Sequence, residues 1–251
     1  PDLRILATGS GDNTTVLWDF HTTQPLHTFK DHTDDVNAVH ITAENRLITV
    51  SDDRSVIQYD ISALVPSSTS STSASAQKEK EREKERNMSK IESKIRKERV
   101  IEDAHDGLGG VSCVTSTKDY VITGGNDNKA VLWEKGGKGQ KVRTFEGHKD
   151  TVQCLDTTPD GKYLVTGSDD KTLILWEISS GNIVRSFKGG HTSLVWAVAV
   201  TPSGDGIVSG SQDNTAILWN LRDGSILHTF KGHSNDVLCV CIDSTGTFLY
   251  T

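Results

Sequence analysis

The chain has 251 residues, a net charge of −7 and four cysteines. That length can bury a large core in one domain, and no apolar stretch approaches the roughly 18 residues that would span a bilayer. The opening residues lack a secretory signal's layout, and Cys113, Cys154, Cys239 and Cys241 include no Cys-x-x-Cys pair, so no disulfide, metal or cofactor is expected, and the compartment reads as reducing, cytoplasmic or nuclear.

The chain begins inside a repeat. Residues 3–10, 14–18 and 26–29 read as strands two to four of a unit that closes near Trp18, and a second unit, 36–61, closes on Tyr59, 41 residues later. From Tyr59 to Trp133 is 74 residues, about 31 more than one repeat of this kind needs, so residues 63–98 are an insertion. Its Ser/Thr tract, 67–76, cannot bury apolar area. Residues 77–99 then hold ten Lys or Arg against six Glu, leaving the rest of the chain acidic. Lys, Glu and Arg favour a solvated helix over 77–98 with Met88, Ile91 and Ile95 along one stripe, and an outer strand is expected to resume at 99–102.

Three regular units follow, 111–145, 152–187 and 195–230. Trp133, Trp176 and Trp219 are each 43 residues apart, and His105, His148, His191 and His233 follow at 43, 43 and 42. A last run, 237–250, supplies a first strand and most of a second. Cys154 and Cys239 stand six residues after the repeat His, where other units have Ala38 and Ala197, and all four cysteines read as small core residues. The period, with four short strands in each, predicts an all-β fold of four-stranded antiparallel blades. Four complete blades and two partial ones make a single repeat domain over 1–251, interrupted by 63–98. Residues 248–251 are left over from the tiling, and a longer propeller is expected to supply the missing blades.

Ten residues before each closing aromatic stands Ser or Thr, and six before it stands Asp. With the His that opens each unit this gives His32, Thr49, Asp53 and Tyr59; His105, Thr123, Asp127 and Trp133; His148, Thr166, Asp170 and Trp176; His191, Ser209, Asp213 and Trp219; and a partial set of Thr8, Asp12 and Trp18. Any of these resembles a Ser-His-Asp triad, but a nucleophile needs one cleft with an oxyanion site, whereas a set present in every unit answers a need of every unit. The inventory closes as structure: indole N–H donates to hydroxyl, hydroxyl to imidazole, imidazole to carboxylate. Tyr59 offers O–H where N–H stands elsewhere, which predicts a looser blade.

The GH or its variant at the unit start, SDD-K-T or QDN-T in the turn, and the closing Trp make the chain resemble the WD-repeat β-propeller family. The dipeptide after the turn reads Trp18-Asp19 and Tyr59-Asp60 but Trp133-Glu134, Trp176-Glu177 and Trp219-Asn220, so its Asp is a weak requirement. The resemblance implies a non-catalytic platform for protein partners, docked on loops carrying Asp35, Asn37, Gln153, Leu194, Trp196 and Leu238. Trp196 is the distinctive one, an aromatic anchor of the kind that dominates interfaces. Asp34, Asp35, Asp106, Asp150 and Asp236 lie nearby without Arg, which favours a neutral or basic partner segment over a phosphopeptide. A substrate-recognition subunit of a ubiquitin ligase is the alternative within this fold. An RNA-associated role would rest on the basic insertion, which lacks the interleaved aromatics of nucleic-acid surfaces, and neither membrane nor metal partners are expected.

Overall fold

The computed structural model describes residues 5–64, 95–106 and 109–251. They form two compact units, Pro1–Glu102 and Asp103–Thr251.

In the first unit, β1 (Ile5–Gly9), β2 (Thr15–Asp19) and β3 (Pro25–Phe29) make a three-stranded sheet. Beside it lies a four-stranded sheet of β4 (Val36–Ile41), β5 (Arg46–Ser51), β6 (Val56–Asp60) and β7 (Arg96–Ile101). Leu17 and Phe29 of one sheet pack with Leu47, Ile57, Tyr59 and Ile61 of the other. In the second unit, β8 (Val111–Ser116), β9 (Tyr120–Gly125), β10 (Lys129–Glu134) and β11 (Lys141–Glu146) form one four-stranded sheet. A second is β12 (Val152–Thr157), β13 (Tyr163–Ser168), β14 (Leu173–Glu177) and β15 (Ile183–Phe187), and a third is β16 (Val195–Val200), β17 (Gly206–Ser211), β18 (Thr215–Asn220) and β19 (Ile226–Lys231). Two short strands, β20 (Cys241–Ile242) and β21 (Leu249–Tyr250), make a fourth sheet. Every sheet is an antiparallel meander in chain order, the blade architecture that the period predicts.

Adjacent sheets meet face to face and the core lies between them: Trp176 and Phe145 share one interface, Trp219 and Phe187 the next. Close approach is set by glycine in the second strand. A Cβ on Gly124 would meet Val152 Cγ1 of the neighbouring sheet at 2.7 Å, and one on Gly167 would meet Val195 Cγ1 at 2.8 Å.

Two expectations about the insertion need correction. Residues 65–94, with Met88 and Ile91, lie outside the described residues, but its end is strand and not helix. β7 begins at Arg96, three residues early, because Lys97 and Arg96 pair in register with Tyr59 and Asp60. Arg46 holds both Asp60 and Glu98 at 2.9 Å, and Ile95 packs against the Tyr59 cluster. The last sheet is also shorter than expected. Cys113 and Cys154 are buried, whereas Cys239 and Cys241 are exposed: the first two meet Val152 and Val195 of the next sheet, and among the described residues no sheet of this unit covers the outer side of β20.

Candidate functional site

The recurring polar set forms at the junction between the segment leading into each sheet and that sheet's own second-to-third turn. In the β12–β15 sheet, Trp176 Nε1 donates to Thr166 Oγ1 at 2.9 Å, Thr166 Oγ1 lies 2.7 Å from His148 Nε2, and His148 Nδ1 lies 2.9 Å from Asp170. With the indole donating to the hydroxyl, the hydroxyl proton goes to Nε2 and Nδ1–H to the carboxylate. Trp133, Thr123, His105 and Asp127 repeat this at 2.9, 2.8 and 2.7 Å, and Trp219, Ser209, His191 and Asp213 at 2.8, 2.7 and 2.9 Å. In the first sheet Trp18 donates to Thr8 at 2.9 Å, while Asp12 is taken up by Thr14.

Each carboxylate also shapes the chain around it. Asp170 accepts the N–H of Lys149, just after the histidine, and that of Thr172 across the turn. This clamps a turn whose next residue has positive φ in every described sheet that contains it: Asn13 at 68°, Arg54 at 68°, Asn128 at 69°, Lys171 at 71° and Asn214 at 67°. The same bonds explain the acidity. Burial opposes ionisation of Asp53, yet hydrogen bonds from Ser55, Thr33 N–H and His32 hold it down to about 2. Burial likewise opposes Asp170, and His148, Thr172 and Lys149 N–H keep it well below the usual carboxylate range. Burial lowers His191 against the opposing pull of Asp213.

Tyr59 departs from the set. His32 reaches Thr49 at 2.7 Å and Asp53 at 2.9 Å as elsewhere, but Tyr59 Oη donates to Asp31 at 2.8 Å and not to Thr49, and Lys97 Nζ meets the same carboxylate at 2.8 Å. Its donor is redirected and not lost, and Tyr59 is 2% exposed, so the reason for expecting a looser sheet falls away. Asp31 stands where Gly147 and Gly190 precede their histidines. A Cβ on those glycines would meet the indole edge of Trp176 at 2.8 Å and of Trp219 at 2.2 Å, so the smaller phenol makes room for the carboxylate that receives it. The DH dipeptide in place of GH was the visible signal. Thr251, left over in the sequence tiling, has a partner as well: its hydroxyl lies 2.6 Å from His233 Nε2, at the same 18-residue spacing as His148 and Thr166.

In the four sets that contain His, hydroxyl and Asp, the groups do not meet in an open cleft. Thr123, Thr166 and Ser209 have 0% exposure and Thr49 has 1%, and an oxygen so enclosed cannot reach a substrate carbonyl.

The second feature is a bulge. In each first strand the register slips by one residue, between Val36 and Ala38, Val111 and Cys113, Val152 and Cys154, and Val195 and Ala197. The slip frees Asn37, Ser112, Gln153 and Trp196 from the ladder, and bulges re-aim side chains in this way. Three of the four close onto the residue preceding the turn's Asp: Asn37 to Asp52 at 2.8 Å, Ser112 to Asn126 at 2.8 Å and Gln153 to Asp169 at 2.9 Å. Trp196 does not. The matching Gln212 is taken by Ser193 at 2.7 Å, and Trp196 Nε1 has no acceptor among the described residues.

The profile of the WD domain, G-beta repeat, matches residues 23–60, 97–134, 139–177, 181–220 and 224–251. The chain belongs to the WD40 repeat family. Proteins of that family are typically scaffolds for other proteins, and the WD40 repeats identify the sheets as propeller blades. Among curated proteins, this WD40 chain is similar to nuclear distribution protein PAC1 of Arthroderma benhamiae and of Trichophyton verrucosum, 26% identical over 160 residues in each case. It is 27% identical over 160 residues to that of Arthroderma otae. Each match covers 63% of this chain and 32% of the relative, so the WD40 chain aligns with about a third of the length of these relatives.

The remaining expected face residues sit as follows. Leu194 is half-buried beside Trp196, Leu238 is 67% exposed, and Asp35 and Asn37 are exposed on the first unit. No helix of the described residues is long and apolar enough to cross a membrane.

Proposed function

We propose that this chain is a non-catalytic WD40 scaffold within an intracellular multiprotein assembly, holding a neutral or basic partner segment over the bulge of β16 in the second unit. The observation that carries the reading is the open bulge position. Three bulge residues are closed by a neighbouring turn, while half-buried Trp196 makes no such closure and its indole N–H is enclosed without an acceptor among the described residues.

The electrostatics support the sign of the partner. Asp169 has one carboxylate oxygen without a partner, and burial, reinforced by the charges of Asp150 and Asp170, pushes its pKa up. That oxygen is enclosed, so a partner acts on it through its field: positive charge docked nearby favours the ionised carboxylate and a phosphate opposes it. Repetition of the His, hydroxyl and Asp set, with the hydroxyl enclosed in all four complete sets, supports the absence of a reaction. The relatives' name makes nuclear distribution the first setting in which to seek the partner.

The test is affinity capture with the chain and its Trp196→Ala variant in parallel. Partners held through this face are retained by the first and lost from the second, and phosphorylating the bound segment weakens it. Capture that is indifferent to Trp196, or that requires phosphorylation, contradicts the reading.

A further inference from the structure

The fourth strands of the second unit carry a bulge of their own. Leu175 pairs with Arg185 while Trp176 pairs with Ile183, and Leu218 pairs with His228 while Trp219 pairs with Ile226. The freed residues, Val184 and Leu227, are 48% and 55% exposed. Each lines a cleft at the opposite end of the strands from Trp196. One, of about 480 Å³, has apolar walls of Pro159, Tyr163, Leu175, Val184 and Leu221. The other, of about 530 Å³, includes Leu218 and Leu227. Arg222 lines both.

Arg222 is fixed at its base and uncommitted at its tip. Its N–H donates to Asn220 Oδ1 at 2.8 Å, and its carbonyl accepts from Arg185 Nη2 at 2.7 Å, while Arg185 Nη1 holds the Asp223 carbonyl at 2.9 Å. The preceding sheet is built alike: Arg143 holds the carbonyls of Ser179 and Ser180, but the residue matching Arg222 there is Ser179. The two clamping arginines are therefore occupied. The Arg222 guanidinium makes no hydrogen bond or ion pair among the described residues, and it touches Asp205 only through longer-range charge interaction.

We propose that Arg222 and its flanking clefts bind an extended partner segment in which Asp or Glu is bracketed, two residues to either side, by apolar side chains. In an extended chain those three positions share one face, so the carboxylate meets the guanidinium while the flanking groups enter the clefts. A planar guanidinium matches a carboxylate in a bidentate pair. A phosphate dianion is a poorer guest, because a single uncommitted cation faces it and Asp160 and Asp205 line the same clefts. Clamping the backbone beneath Arg222 reduces the ordering cost of binding. This surface is distinct from the Trp196 face and goes beyond the reading above.

The experiment is phage selection of a random dodecapeptide library on the 251-residue chain, with counter-selection on Arg222→Glu, followed by fluorescence anisotropy of the enriched peptide. The expected consensus has an acidic residue with apolar residues two positions to either side. Its affinity should fall by about tenfold or more in Arg222→Gln and in Val184→Asp, as loss of a charge-assisted pair or an apolar contact would cause. It should be unchanged in Trp196→Ala and weaker when phosphoserine replaces the acidic residue. Arg222 is exposed, so Arg222→Gln should keep the wild-type melting temperature and reads binding even where Val184→Asp misfolds. No acid-centred consensus, affinity indifferent to Arg222, loss of binding in Trp196→Ala, or tighter binding of the phosphoserine peptide would each overturn the proposal.

Discussion

Asp31 and Tyr59 are one adaptation written at two positions. A Tyr59→Trp substitution alone forces an indole edge against the Asp31 side chain and should destabilise by about 1–3 kcal/mol, the usual cost of overpacking. Adding Asp31→Gly should recover most of that loss and let the indole reach Thr49, which thermal unfolding of both variants checks. Within the Trp-bearing sheets, Thr166→Val strands an indole N–H and an imidazole nitrogen and should cost about 1–3 kcal/mol. Acid should act in two stages. Burial keeps folded His191 below its ordinary value, so the unfolded chain takes up that proton first, and stability falls as pH drops below roughly 6.5. Folded Asp53, held at about 2, ionises more readily than the unfolded residue, so further stability is lost between about pH 4 and 2. Melting temperature against pH reads both stages, and His191→Gln should shrink the first. The four-residue sets were legible because their members recur at constant spacing. The Asp31 contact was not read, since it answers a substitution in a single unit.

At the scale of the element, turn and bulge do different work. Lys171 adopts φ 71° in a turn held by Asp170, a conformation that costs most L residues about 1 kcal/mol. Lys171→Gly should therefore leave stability unchanged or raise it by up to about 1 kcal/mol in denaturant unfolding. By contrast, Gly167→Ala drives a methyl onto Cys154 Sγ and Val195 Cγ1, at 2.6 and 2.8 Å, and should cost about 1–3 kcal/mol. Strand number and order follow directly from hydrophobic period and turn residues. The bulges do not, because they are a property of register between two strands, and one-residue slips leave no mark on composition. That is why Trp196 stood out by its type alone, while Val184, Leu227 and Ser112 passed as ordinary strand residues. The early start of β7 was hidden for a related reason: Arg96, Lys97 and Glu98 read as the end of a charged run until Asp60, Asp31 and Arg46 supply their partners.

Over the whole molecule, each compact unit gains its core from the faces between successive sheets, and the hydrogen-bonded sets tie each sheet to the chain that precedes it. The same sequence rule that placed Cys154 in the core pointed to burial of Cys239, and there it failed because burial depends on a neighbouring sheet and not on the residue itself. The period carried the fold. The two surfaces proposed for partners depend on what breaks the period, Trp196 at one end of the strands and Arg222 at the other. The central claim is that the repeated imidazole, hydroxyl, carboxylate and indole stabilise the sheets and perform no chemistry. Its most direct test is the melting temperature of His32→Gln, His105→Gln, His148→Gln and His191→Gln measured side by side. Comparable losses of about 1–3 kcal/mol in all four are predicted, and one variant that keeps full stability while alone abolishing an activity of the protein would contradict it.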